Sequence, residues 1–191
     1  MTTRLGIFGG TFDPPHLGHL ILAAEAYTQC RLDRLLWVLT PHPPHKPNQV
    51  ITPLDIRLEM VRACLADAPE FELTSVDIDR PPPHYAVYVM GSDSLLNIHT
   101  WHRPAEFVRA CHRIAVTNRS NEPMDQATLN TLEDRLPGVG HKLQMITSMV
   151  LGISSSEIRR RVAENAPVRY YLHPQVYALI QHHKLYRELE A

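Results

Sequence analysis

The sequence predicts an α/β protein with a doubly wound parallel sheet in a single domain. Short apolar runs typical of buried parallel strands, such as residues 5–8 and 34–39, alternate with segments of helical periodicity. The chain has 191 residues and no internal repeat, which fits one domain with a substantial core. Because parallel strands are joined by right-handed crossovers, this alternation predicts helices on both faces of the sheet.

The composition is that of an ordinary globular protein. Hydrophobic residues make up 44% of the chain and charged residues 20%, with a formal net charge of -1 at pH 7. This balance gives no electrostatic signature of a nucleic-acid or membrane partner, and no apolar run approaches membrane-spanning length. Cys30, Cys64 and Cys111 are widely spaced within apolar helical patterns. We therefore expect them to be small core residues of a cytoplasmic protein.

The first predicted strand ends in a glycine pair and leads into a helix. Gly9 and Gly10 permit a tight turn and a close approach to a ligand, and a proline pair then suits the first helical turn. Unpaired N–H groups and the helix dipole make such a helix start an anion site. His16 and His19 lie three residues apart, on one face of this turn. The stretch therefore predicts an anion site that carries two histidines.

A proline-rich loop follows the second predicted strand. Four prolines within residues 40–48 exclude a helix and a central strand, so the loop lies at the carboxyl end of a parallel strand, where open sheets bind ligands. His45 and Lys46 could reach a phosphate from this loop. Composition alone fits a solvated surface loop equally well.

The middle of the chain contains further strands and helices with two open interpretations. Thr52 is the predicted N-cap of a helix, and residues 71–79 and 88–90 are predicted strands. Asp93 follows the second of these strands and could bind ribose hydroxyls, cap a helix, or do both. Trp101 precedes another helix and fits either the core or a stacking contact with an aromatic ring.

The last third continues the alternation. Residues 113–117 and 142–146 are predicted strands, and residues 124–136 and 173–185 are predicted helices. Ser154 and Glu157 fit a capping box. Arg159 at the start of the same helix opposes the helix dipole unless an anion is bound there.

Two segments resemble the signatures of the nucleotidylyltransferase superfamily. Residues 9–19 (Gly-Gly-Thr-Phe-Asp-Pro-Pro-His-Leu-Gly-His) resemble its first signature, and residues 153–159 (Ile-Ser-Ser-Ser-Glu-Ile-Arg) resemble its second. Residues 44–46, 91–94, 101–104 and 170–176 make the chain similar to the bacterial nicotinate-mononucleotide adenylyltransferases. The resemblance implies a Rossmann-like sheet of the nucleotidylyltransferase type. It also implies transfer of the adenylyl group of ATP to nicotinate mononucleotide, giving deamido-NAD and pyrophosphate in NAD biosynthesis.

The resemblance further implies which residues bind the two substrates. The catalytic set is His16, His19, Lys46 and Arg159. The ATP-binding set is Gly9, Gly10, Thr11, Phe12, Gly91, Asp93, Ile153, Ser154 and Ser155. The mononucleotide-binding set is Tyr85, Trp101, His102 and again Lys46. His19 would lie nearest the α-phosphate, and Lys46 would bridge the attacking and transferred phosphates.

The expected cofactor is Mg²⁺ bound through the ATP phosphates. No cluster of carboxylates in the sequence suggests a protein site that could hold this ion alone. The expected small-molecule partners are ATP and nicotinate mononucleotide, with no nucleic acid and no membrane. A monomer and a homodimer both fit.

Two other functions remain open from the sequence. A sister adenylyltransferase that acts on another phosphorylated acceptor would share the first signature, although Trp-His-Arg-Pro at 101–104 argues against it. A non-catalytic nucleotide-sensing relative would keep the fold, but the presence of His16, His19, Lys46 and Arg159 makes this reading less suitable.

One stretch does not fit the α/β pattern. The predicted strands that end at residue 79 and begin at residue 88 should be neighbours or near-neighbours, yet only residues 80–87 separate them. A parallel crossover takes about a dozen residues or more. The family resemblance implies a helix after Val87. We therefore hypothesise that, in a single domain of residues 1–191, a helical crossover is missing between Val87 and Tyr88. Either the sequence omits it or the protein has lost it.

Overall fold

The computed structural model describes residues 3–41, 50–74, 85–117, 124–149 and 151–187. Its strands are β1 (Arg4–Gly10), β2 (Arg34–Leu39), β3 (Phe71–Thr74), β4 (Tyr85–Gly91), β5 (Arg113–Thr117) and β6 (Leu143–Ile146). Its helices are α1 (Leu17–Gln29), α2 (Leu54–Cys64), α3 (Ser92–Leu96), α4 (Pro104–Ala110), α5 (Gln126–Arg135), α6 (Ser155–Ala163) and α7 (Pro174–His182). Three single 3₁₀ turns cover Ile98–Thr100, Gly140–Lys142 and Arg169–Tyr171.

The six strands form one parallel sheet in the order β3-β2-β1-β4-β5-β6. This arrangement confirms the predicted single-domain, doubly wound α/β fold. The chain runs outward from β1 to β3 on one side and from β4 to β6 on the other. The topological switch point therefore lies between β1 and β4, and this is where open α/β sheets bind ligands.

The connection from β3 to β4 differs from expectation. The two strands are not near-neighbours, because β2 and β1 lie between them and β3 forms an edge of the sheet. The predicted strand at 71–79 is described as far as Thr74, and residues 75–84 lie outside the described part. β4 begins at Tyr85 rather than at residue 88, so Val87 and Tyr88 are consecutive within one strand, opposite Gly6 and Ile7 of β1.

Buried apolar side chains form three clusters in the described residues. The first lies between the sheet and α1 and contains Phe8 and Trp37. The second covers the opposite face of β4 and β5 and contains Tyr88. The third joins α2, α6 and α7. The three cysteines are buried free thiols, as predicted.

One part of the sheet surface lies outside these clusters. The side chains of Leu5 and Leu36 point away from α1, are half-buried, and fall in none of the three clusters of the described residues. Towards the β3 edge this face carries the ion pair between Arg34 and Glu72. We call it the outer face of β1–β3.

The predicted N-cap of α2 is wrong by one position. The helix begins at Leu54 with Pro53 in the capping position, and the backbone N–H of Thr52 donates to Asp13 Oδ2 at 3.2 Å. Thr52 is therefore part of a contact between α2 and the turn after β1. Among the helices in the described ranges, none is both long and apolar enough to cross a membrane.

Candidate active site

The predicted site residues that follow β1 and β4 meet at the switch point. Gly10 ends β1 and Gly91 ends β4, and these strands are neighbours in the sheet. Chain segments leave both strand ends in opposite directions, which opens a crevice between them. The crevice lies at the carboxyl edge of the sheet, as the sequence predicted.

The turn after β1 is shaped by a buried aromatic ring. Phe12 has a φ of 47°, which folds its ring back over Gly10. A Cβ at Gly10 would lie 2.8 Å from that ring, so a larger residue would displace it. The Phe12 ring packs against Phe8 and Trp37 at centroid distances of 5.4 and 4.8 Å. The second glycine of the pair is therefore required by packing of the turn as well as by access for a ligand.

His16 and His19 form a stacked pair at the start of α1. His16 is the N-cap residue, and the two ring centroids are 3.7 Å apart with planes inclined by 23°. The backbone N–H of His16 donates to His19 Nδ1 at 3.2 Å. Because Nδ1 accepts this bond, the hydrogen of the neutral ring belongs on Nε2. Phe12 meets the His19 ring edge-on at 5.1 Å and supports its orientation.

The start of α6 is hydrogen-bonded to the turn after β1. Ser154 caps α6 by accepting from the N–H of Glu157 at 3.1 Å, as predicted. Ser155 Oγ donates to the carbonyl of Pro14 at 2.9 Å, and Arg159 Nη1 donates to the carbonyl of Asp13 at 2.7 Å. The N-terminal ends of α1 and α6 therefore lie together. Two helix N-termini and one guanidinium at one place are features that favour a bound anion.

Beneath these loops lies a buried polar cluster that the sequence analysis missed. It consists of Asp13, Thr52, Arg57 and Tyr186, of which Arg57 is 2% and Asp13 3% exposed. A signal for Arg57 was present, because it lies three and four residues before Met60 and Val61 on the buried stripe of α2. The sequence carried no comparable signal for Tyr186.

The structure decides the capping role left open for Asp93 and the packing role left open for Trp101. Gly91, not Asp93, is in the N-cap position of α3, and the Asp93 side chain is exposed in the first turn. The Trp101 ring packs edge-on against Tyr88 and Phe107 at 5.8 and 5.1 Å. One side of the Trp101 ring therefore packs against the core. The side chain is half-buried, so part of the ring is accessible for a stacking contact. His102 follows it and is exposed.

Tyr85 is not brought to the site. It begins β4 opposite Arg4, at the amino edge of the sheet, and six residues of strand separate it from Gly91. At about 3.3 Å per residue, that distance is roughly 20 Å. Its ring lies near the guanidinium of Arg4 and the ring of His112. The physical reason is that no helix separates Tyr85 from Tyr88, so Tyr85 forms the first residue of β4.

Lys46 and His45 lie outside the described residues, so their positions relative to the crevice stay predictions. A protein-held metal site is not apparent where the structure is described: no group of three or more His, Cys, Asp or Glu side chains is placed to hold an ion. Asp13 lies close to the phosphate-binding loops. Both of its carboxylate oxygens already accept hydrogen bonds, one from Tyr186 and one from Thr52.

Comparison with known proteins identifies the family. The cytidylyltransferase-like family matches residues 7–161. A protein of Thermomicrobium roseum named "Probable nicotinate-nucleotide adenylyltransferase" is 36% identical over 205 residues, covering 99% of this chain and 94% of that protein. One of the same name from Pelobacter propionicus is 32% identical over 213 residues, covering 97% and 99%.

A solved structure shares the fold. Nicotinic acid mononucleotide adenylyltransferase of Plasmodium falciparum, complexed with NaAD, superimposes with a TM-score of 0.78 at 19% identity, covering 98% of this chain and 100% of that one. Together with the two histidines on α1 and the second signature on α6, these similarities leave one assignment. The chain belongs to the cytidylyltransferase-like family and, within it, to the nicotinate-nucleotide adenylyltransferases.

Proposed function

We propose that this protein transfers the adenylyl group of ATP to nicotinate mononucleotide, giving deamido-NAD and pyrophosphate. The observation that carries the proposal is the junction of α1 and α6, where Arg159 and Ser155 bond the turn that holds His16 and His19. The chain also has relatives of that name over nearly its full length. The buried free thiols Cys30, Cys64 and Cys111 suit a reducing compartment, and we place the protein in the cytoplasm.

The reaction needs no protein nucleophile. A phosphate oxygen of the mononucleotide forms the new bond to the α-phosphorus of ATP, and the bond from that phosphorus to the bridging oxygen breaks in line. The bond electrons leave with pyrophosphate. Holding the two reactants in this alignment can contribute about 7–11 kcal/mol towards lowering the barrier. The task of the protein is therefore positioning and charge stabilisation.

His19 is suited to donate a hydrogen bond to the α-phosphate. Its Nδ1 accepts from the backbone N–H of His16, which places the hydrogen of the neutral ring on Nε2, and the ring is braced by Phe12 and His16. A pre-oriented donor of this kind stabilises the charge that develops on the phosphoryl oxygens. We assign His16 to the neighbouring phosphates, and Gly9, Gly10, Thr11 and Phe12 to the turn that approaches them.

The other ATP contacts follow the same logic. Arg159, with Ser154, Ser155 and the backbone of Ile153, holds the β- and γ-phosphates at the start of α6, and Gly91 and Asp93 hold the adenosine. Trp101, His102 and Lys46 bind the mononucleotide. Mg²⁺ fits as an ion carried by the ATP phosphates, because the nearby Asp13 carboxylate is already occupied by Tyr186 and Thr52. When bound, this ion supplies positive charge to the leaving pyrophosphate.

Nicotinate mononucleotide should be preferred over nicotinamide mononucleotide. Nicotinate carries a carboxylate, whose charge-assisted bonds to N–H donors are stronger than those of a neutral amide. A difference of about 1.5–3 kcal/mol for such a bond corresponds to a kcat/KM roughly 10- to 150-fold higher for the acid. Pyrophosphate release measured with both mononucleotides tests this. Equal or reversed values would assign the chain to another acceptor, and no turnover with either would favour a nucleotide-sensing protein.

Arg159→Lys should weaken ATP binding and leave mononucleotide affinity nearly unchanged. A guanidinium can hold two phosphate oxygens at once, whereas an ammonium group cannot reproduce that geometry. We expect roughly a tenfold increase in the dissociation constant for ATP, as for loss of about 1.4 kcal/mol. Calorimetry with each substrate separately is the measurement. Arg160→Lys on the same helix is the control, since Arg160 pairs with Glu157 and Glu164. A parallel loss of both affinities in Arg159→Lys would mean that Arg159 only joins α6 to Asp13.

A further inference from the structure

The Arg57 guanidinium is buried, and within the described residues its hydrogen bonds go to backbone carbonyl groups. Its side chain is 2% exposed in the described structure. Its N–H groups donate, at 2.8–3.0 Å, to the carbonyl oxygens of Thr52, Thr11, Thr40 and Pro41. Burial lowers the pKa of Arg57, and the negative charge of Asp13 opposes that shift. Since burying a charge is costly without such partners, these contacts hold the guanidinium in one place.

Three of these four carbonyl groups lie just beyond the ends of β1, which borders the crevice, and of its neighbour β2. Thr11 directly follows β1, and Thr40 and Pro41 directly follow β2. The strands are already joined at this level by the bond from Thr40 N–H to the carbonyl of Gly10, at 2.9 Å. Arg57 adds three donors just beyond it, where the chain leaves the sheet. The guanidinium fork therefore fixes how far the two strand ends diverge.

Asp13 connects this cluster to Arg159. Asp13 Oδ2 accepts from the N–H of Thr52, whose carbonyl accepts from Arg57, and Asp13 Oδ1 accepts from the hydroxyl of Tyr186 at 2.6 Å. The Asp13 carbonyl in turn accepts from Arg159. Burial and the Asp13 charge raise the pKa of Tyr186, so its hydroxyl stays protonated and remains a donor. Asp13 therefore links two residues to Arg159: Arg57 on α2, through Thr52, and Tyr186, which lies four positions beyond the end of α7.

We propose that Arg57 and Tyr186 are positioning residues for adenylyl transfer. Neither touches the substrates; they orient Asp13 and the ends of β1 and β2, and through them Arg159 and the turn that carries His16 and His19. This inference rests on the proposed function and extends it to residues outside the two signatures. It explains why a buried arginine, rather than another apolar residue, interrupts the apolar stripe of α2.

Three variants test the proposal. Arg57→Lys keeps the charge but loses the fork, and Tyr186→Phe removes one hydroxyl from an otherwise unchanged ring. Lys142→Met is the matched control, because Lys142 Nζ donates to the carbonyls of Val108, Arg109 and Cys111 at the amino edge of the sheet. For each variant the measurements are kcat, KM for both substrates, the dissociation constant for ATP and the unfolding midpoint.

We expect kcat to fall roughly 10- to 100-fold in Arg57→Lys and roughly 3- to 10-fold in Tyr186→Phe, because small displacements of aligned groups slow the reaction. ATP affinity should fall in both, while KM for the mononucleotide changes less than about threefold. Lys142→Met should lower the unfolding midpoint and leave kcat within about twofold.

The proposal is overturned if Tyr186→Phe is folded with unchanged kcat and unchanged ATP affinity. The proposal is also overturned if Lys142→Met lowers kcat as much as Arg57→Lys does, because loss of stability alone would then explain the slower reaction. If the wild-type protein does not turn over nicotinate mononucleotide, the proposed function fails. ATP affinity in Tyr186→Phe and in Arg57→Lys then still decides this inference, because it reports the position of Arg159 without an acceptor.

Discussion

Replacing His19 with alanine should lower kcat by about 10²–10³-fold, the scale for loss of one pre-oriented donor to a transition state. The ring is oriented from three sides, by the N–H of His16, the stacked His16 ring and the edge of Phe12. Because the donor is already oriented, no free energy is spent on orienting it in the transition state. Its loss should therefore appear mainly in kcat. KM for ATP should change much less, because the triphosphate keeps its contacts at α6.

Two variants make the test specific to the donor. His19→Gln retains an N–H that can reach part of the same space, and should keep more activity than His19→Ala. His182→Ala removes an exposed histidine on α7 and should be indistinguishable from wild type. Steady-state kinetics with saturating nicotinate mononucleotide is the measurement. A near-normal kcat in His19→Ala would remove His19 from the catalytic role and leave it as part of the helix cap.

The start of α1 could be predicted from the sequence because its signals are local. The glycine pair and the spacing of His16 and His19 lie within a few residues and constrain the backbone directly. The proline pair precedes the N-cap residue His16 and is not in the first helical turn, where we expected it. β2 and β5 were predicted at their observed bounds for a similar reason, since uninterrupted apolar runs mark fully buried parallel strands. The local backbone around His16 and His19 could therefore be predicted, and the role of these residues in phosphate binding stays a prediction.

Contacts between distant segments could not be predicted in the same way. The bond between Tyr186 and Asp13 joins residues 173 positions apart, and nothing near Tyr186 marks it as polar core. Arg57 was visible as a charge on an apolar stripe, but its acceptors are carbonyl groups, which every residue possesses. The position of Tyr85 depended on the length of the preceding connection. Its expected role came from the family resemblance, which assumes a crossover of normal length.

We propose that this chain lacks the helical crossover that the family resemblance implies between β3 and β4. Ten residues, 75–84, connect these strands, fewer than a helical crossover uses, although β2 and β1 lie between them. The match to the Thermomicrobium roseum protein extends over 205 residues and this chain has 191, so at least 14 positions of the match have no residue here. We place that gap beside Val87 and Tyr88.

The handedness of the fold indicates what the missing helix would cover. α1 lies on one face as the chain moves from β1 towards β3, and the return to β4 runs in the opposite direction. A right-handed crossover must therefore pass over the other face. That is the outer face of β1–β3, where Leu5 and Leu36 are half-buried and outside the three apolar clusters of the described residues. The same loss explains why Tyr85 lies in β4 rather than beside the crevice.

The consequence should be weak binding of the acceptor with normal binding of ATP. Tyr85, around which the family resemblance places the backbone that holds the nicotinate carboxylate, lies about 20 Å from the crevice at the other edge of the sheet, at about 3.3 Å per strand residue. Loss of one charge-assisted hydrogen bond, about 1.5–3 kcal/mol, with those from the segment of Trp101 and His102 retained, raises KM for nicotinate mononucleotide roughly 10- to 150-fold. The reference is the Thermomicrobium roseum protein in the same assay. KM for ATP should differ between the two by less than about threefold.

Intact mass spectrometry of the protein from its natural source separates the two origins of the gap. A mass of 21.8 kDa, as for the 191 residues, would mean that the segment is lost, and the high KM should then be observed. A larger mass, with peptides that place the added residues between Val87 and Tyr88, would mean that the sequence omits the segment, and KM should equal that of the relative. As a control, inserting the relative's crossover between Val87 and Tyr88 should lower KM for the mononucleotide and leave KM for ATP unchanged. A mass of 21.8 kDa together with a KM like that of the relative would contradict both a lost and an omitted segment. The short connection between β3 and β4 would then leave binding of the mononucleotide unaffected.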